Sequence, residues 1–123
     1  MIALLIATVL TTQSSIEHAA PRIVSMSPVS GSVVPAGEVT LVVTFDQPMR
    51  GRSYSFVSRD GHEFPACKGV PEQSVDGRTY SLKCTVAPAH SYSVWINSGQ
   101  FRNFVSASTA LPADAAVIEF STH

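Results

Sequence analysis

Apolar and polar residues alternate along four stretches of this chain. In 38–45, Val39, Leu41, Val43 and Phe45 share one face, and Glu38, Thr40, Val42 and Thr44 share the other. In 78–86, Tyr80, Leu82, Cys84 and Val86 alternate with Thr79, Ser81, Lys83 and Thr85. Residues 91–97 place Tyr92, Val94 and Ile96 on one side and Trp95 on the other, and 115–122 group Ala116, Ile118 and Phe120. A period of two is the mark of a half-buried antiparallel strand. Weaker strands are expected at 22–26, at 53–59 with Tyr54 and Phe56 inward, and at 62–69, where Pro65 makes an edge or a bulge. Val33-Val34 reads as a short edge segment.

Gly, Pro, Asp and Ser clusters separate these runs, with tight-turn signals at Asp60-Gly61 and Asp76-Gly77. Six or seven short strands in one domain-sized chain are the pattern of an all-β antiparallel sandwich. Residues 98–114 are the longest stretch without a strand, and Phe101 and Phe104 are expected to tuck beneath it. The run "VTFDQPM" (43–49) stops abruptly. Pro48 has no N–H to continue a ladder, Asp46 and Gln47 mark a sandwich rim, and Met49 can fold back as an apolar plug.

The first ten residues, "MIALLIATVL", hold nine apolar residues and one Thr. A bilayer-spanning helix needs about 20 such residues, so the segment reads as a signal peptide. Residues 1–14 are assigned to it, with a cleavage site that could lie as late as 20, and 21–123 form the mature domain. No transmembrane helix is expected after cleavage. The chain is then periplasmic, secreted or on the cell surface. Two cysteines, Cys67 and Cys84, in an exported chain point to one disulfide, with a pair of buried thiols as the alternative. The formal charge of −1 and scattered Lys and Arg exclude a nucleic-acid footprint.

The stretch "PRIVSMSPVSGSVVPAGEVTLVVTFDQPM" resembles the opening of bacterial Ig-like domains of the surface-layer-protein type. The matching positions are Pro21, Ile23, Ser27, Pro28, Gly31, Thr44, Phe45, Pro48 and Met49. Val86, Pro88, Tyr92 and Val94 fit the family's Leu-x-Pro-x-x-x-Tyr-x-Val step, and Phe120 and Thr122 fit its closing strand. The Trp95-Ile96-Asn97, Phe101, Phe104 pattern is similar to a variant found singly or appended to larger envelope proteins. The family's Asp-x-x-Gly-Asn turn before the last strand is missing from "NFVSASTALPAD". The resemblance implies an Ig-like, fibronectin-type sandwich of about seven strands. It also implies a structural or interaction role toward an envelope protein or a glycan, without catalysis or a cofactor.

The residues themselves give little chemistry. His18, His62, His90 and His123 are not paired at metal-ligand spacing, and no Gly-x-Ser-x-Gly exposes a nucleophile. Asp60, His62 and Glu63 in "RDGHEF" read as a solvated turn. Asp46, Asp60 and Asp76 lack the clustered oxygens of a calcium site. Trp95, Phe101 and Phe104 form either an interaction patch or, as expected here, one cluster covered by the 98–114 loop. Tyr92 suits a corner tyrosine, bonded to nearby backbone. The alternative function is Cu(II) binding. Periplasmic copper-resistance C proteins look similar at "HAAPRIVSMSPVSG", and His18, if it became the first residue, would offer an imidazole and an amine.

Overall fold

The structure, a computed structural model, describes residues 20–123. Nine strands build two facing sheets. They are β1 (Ile23–Ser27), β2 (Ser32–Val34), β3 (Gly37–Phe45), β4 (Phe56–Val57), β5 (Ala66–Cys67), β6 (Glu72–Gln73), β7 (Thr79–Val86), β8 (Ser91–Ile96) and β9 (Ala116–Thr122). One sheet runs β1-β3-β7-β5, with β6 also on β7, and the other runs β2-β9-β8-β4. Every pairing is antiparallel except that of β2 with β9. Among the described residues no helix is long and apolar enough to cross a membrane.

The long strands form where the alternation is cleanest, because a one-residue slip would turn a whole apolar face to water. β3 and β7 pair over eight positions, from Gly37 opposite Val86 to Thr44 opposite Thr79. Their inward residues Leu41, Val43, Phe45, Tyr80, Leu82, Cys84 and Val86 are all buried. Tyr92, Val94, Ile96, Ile118 and Phe120 face them from β8 and β9. Thr44 and Thr79 meet on the outer side, their hydroxyls 3.0 Å apart.

Two of the weaker predicted strands shrink, and the reason is a sheet change. The run expected at 53–59 is a strand only at β4, and that at 62–69 only at β5. Between them the chain leaves one sheet for the other, so neither half can extend. β1 and β2 make a similar crossing, through a cis Ser27–Pro28 bond and Gly31 at φ 87°, whose N–H donates to the Glu119 carbonyl at 2.7 Å. Polar β6 has no apolar alternation to announce it.

The core is completed by a loop residue. Phe104 is fully buried, with its ring 5.3 Å from Phe45, 5.2 Å from Phe56 and 5.1 Å from Tyr80. Burying such a ring contributes roughly 1.5–3 kcal/mol relative to exposure. Tyr80 donates its hydroxyl proton to the Arg50 carbonyl at 2.5 Å, and burial pushes its phenol above the usual tyrosine range.

Candidate functional site

The 98–114 loop is fastened at both ends by buried polar groups. Asn97, directly after β8, is fully buried at φ 53°. Its Nδ2 donates to the carbonyls of Phe104 (3.0 Å) and Ala113 (2.9 Å), and its Oδ1 accepts the Phe104 N–H (3.0 Å). Asparagine tolerates this left-handed backbone better than most side chains. Upstream of β4, Ser55 Oγ accepts the Asn103 N–H at 2.9 Å, and Ser53 Oγ donates to the Asn103 carbonyl.

The other anchor is the stretch that ends β3. The Asp46 carboxylate accepts the Arg22 N–H at 3.0 Å, and the Arg78 guanidinium donates to the Asp46 carbonyl at 2.6 Å. Gln47 Oε1 accepts from Ser106 Oγ at 2.6 Å, the Pro48 carbonyl accepts the Ala107 N–H, and the Arg50 N–H donates to the Val105 carbonyl. Met49 is buried in the core cluster and its N–H donates to the Gly77 carbonyl. A Cβ on Gly77, at φ 77°, would lie 3.5 Å from Pro48, so the Asp76-Gly77 turn packs directly against this stretch. The segment is a dock for the loop as well as a strand end.

At the opposite end of the sandwich, Tyr92 Oη accepts the Ala87 N–H at 2.8 Å. Thr122 Oγ1 donates to the Ala87 carbonyl at 2.6 Å and accepts the His90 N–H at 3.0 Å. The His90 ring stacks on Tyr92 and its Nδ1 lies 2.8 Å from Glu63 Oε1. Both partners are nearly half exposed, so this pair contributes little to stability. Cys67 and Cys84, opposite one another on β5 and β7, are joined by a disulfide.

The aromatic residues separate rather than cluster, which corrects the expectation of a shared patch or a shared cover. Phe104 is core. Phe101 is 51% exposed at the rim of a cleft of about 480 Å³ that also touches Tyr54, Phe56, Phe64 and Pro71. Trp95 points out of the opposite face of its sheet, because β8 turns Val94 and Ile96 inward. Asn97 at φ 53° ends the run of β8, and the Ser98–Phe101 bridge that follows turns the chain. What sits on Trp95 is the turn expected to be merely solvated. The Arg59 guanidinium lies 5.0 Å from the ring centroid, and the His62 ring meets it edge-on at 4.8 Å.

Ser58, Arg59, Asp60, His62 and Trp95 surround an open depression of about 540 Å³. Its size is within the range of small-ligand sites, ~300–1,000 Å³. Among the described residues no group of three or more His, Cys, Asp or Glu is placed to hold a metal ion, and His18 lies outside the described residues, as does the predicted signal segment.

Two facing sheets, antiparallel apart from one short parallel edge and stapled by one cystine, define an Ig-like sandwich. The bacterial Ig-like domain family model matches residues 17–122, and the chain belongs to that family. No curated protein matches it.

Proposed function

We propose that the chain is an exported, non-enzymatic domain of the bacterial cell envelope, of the surface-layer type, that serves as a structural or interaction module. Residues 1–14, or as many as 20, act as its signal peptide and 21–123 as the mature domain. The observation that carries this reading is how the buried polar side chains are used. Asn97, Ser106, Ser55 and Thr122 each bond a loop or a neighbouring strand end, so they build a rigid frame. Family membership supports a binding or structural role. The disulfide supports an oxidising compartment.

The test expresses the whole chain with its own N-terminus in a bacterium, followed by fractionation and intact-mass analysis. A shortened, oxidised protein outside the cytoplasm is expected, and it should co-sediment saturably with isolated envelope fragments. A full-length, reduced protein in the cytoplasm overturns export. Failure to co-sediment overturns the interaction role, and stoichiometric Cu(II) uptake that requires His18 would replace it with metal binding.

A further inference from the structure

The geometry points to the Arg59–Asp60–His62–Trp95 depression as a binding site for a carboxylate-bearing sugar of an acidic glycan. This rests on the interaction-module reading and names the ligand class of that module.

The site exists because the chain leaves its sheet and returns. Phe56 and Val57 pair with Ile96 and Trp95, and two positions along β8 the Ser93 N–H donates to the Glu63 carbonyl at 2.9 Å. The residues between arch outward over Trp95. The arch is closed by the His62 N–H donating to the Arg59 carbonyl at 3.1 Å, with Gly61 at φ 82°. Some charged groups elsewhere find local partners: Asp46 takes the Arg22 N–H, Asp76 takes Ser74 Oγ and the Arg78 N–H, and Glu63 meets His90. Among the described residues, the Arg59 guanidinium, the Asp60 carboxylate and the His62 ring nitrogens make no hydrogen bond or ion pair. Three unspent polar groups surround the chain's one tryptophan.

Each group matches part of one ligand. Arg59, exposed and held near the indole by its cation–π contact, carries a planar fork of N–H donors, and such a fork fits a carboxylate with two parallel hydrogen bonds. Asp60 accepts protons from sugar hydroxyls. The exposed His62 ring, and the part of the indole that the arch leaves uncovered, offer apolar surface to the C–H face of a pyranose. A neutral sugar would leave the fork unused. An acidic peptide has few hydroxyls to give Asp60.

Trp95 makes the test direct, since its emission reports on the site. The folded chain is titrated with oligogalacturonate, with a neutral galacto-oligosaccharide and with an oligoglutamate peptide. A saturable change in Trp95 emission is expected with oligogalacturonate alone. Arg59→Met should weaken it about tenfold or more, the scale of lost charge-assisted hydrogen bonds, while Lys83→Met, on the other sheet, should not. Unchanged thermal unfolding of both variants confirms that they are folded. No response to oligogalacturonate, or an equal response to the neutral sugar or the peptide, overturns the assignment. If the chain ignores oligogalacturonate yet co-sediments with envelope fragments, the sugar assignment falls and the module stands. If it does neither, both fall.

Discussion

Asn97 and Phe104 exchange two hydrogen bonds, Nδ2 to the Phe104 carbonyl and the Phe104 N–H to Oδ1, both at 3.0 Å. One side chain thereby mimics a strand pair and fixes where the longest loop enters the core. Asn97→Ala leaves the buried Phe104 N–H and Ala113 carbonyl without a partner, while the Phe104 carbonyl keeps the Ala113 N–H, and a methyl is less suited than hydrogen to φ 53°. The expected loss is about 3–4 kcal/mol by urea unfolding. Asn97→Gly loses the same hydrogen bonds but should be the milder change by about 1 kcal/mol, because glycine adopts this φ without the strain that alanine carries. A loss below about 1 kcal/mol for Asn97→Ala would show that the loop holds itself.

Phe104 and Phe101 are close in sequence and opposite in role. Phe104→Ala should cost about 3–5 kcal/mol, as a fully buried ring leaves a cavity among Phe45, Phe56 and Tyr80. Phe101→Ala should stay within about 0.5 kcal/mol, as for an exposed surface site. Equal costs in chemical denaturation would contradict the separate placements.

Reduction removes a constraint on the unfolded chain. Cys67 and Cys84 are 17 residues apart, and closing a loop of that size is worth roughly 3 kcal/mol in the chain-entropy account. The Cys67→Ser, Cys84→Ser double variant should fold but lose about that much. Wild-type unfolding that is indifferent to reductant would refute this.

Asp76 lends the fold a dependence on acid. The Ser74 hydroxyl first, and then the Arg78 N–H, hold its carboxyl below the usual aspartate range. A lowered folded-state value stabilises above the unfolded value and is lost as pH falls through the folded one. Wild type should therefore lose stability below about pH 4 more steeply than Asp76→Asn. Parallel pH profiles for the two proteins would count against the carboxylate's part in the turn.

The four long strands were readable because a period of two leaves one register that buries an apolar face. Leu41, Leu82, Val94 and Ile118 all sit inward where alternation placed them. The short strands were not readable in full, since β4 and β5 end where the chain changes sheets, and residue pattern does not mark that corner. The candidate site was half legible. Trp95 stood out as facing away from its neighbours, but proximity in sequence tied it to Phe101 and Phe104. Its real companions, Arg59 and His62, reach it through the β4–β8 pairing. Polarity alone made their turn look idle, and the cue was its place just after a strand that must pair near Trp95.

The parallel match of β2 with β9 bears on mechanics. Ser32, Val33 and Val34 lie beside Phe120, Ser121 and Thr122 in the same direction. Tension entering ahead of β2 and leaving beyond β9 pulls these neighbours lengthwise past each other, so their bonds share the load instead of opening one by one as in a zipper. Single-molecule stretching is expected to meet a distinct force peak at this contact. Val33→Pro, which puts a residue unsuited to regular strand pairing in the middle of β2, should lower that peak, and an unchanged peak would place the resistance elsewhere. A domain wired this way is suited to being a link that is pulled upon.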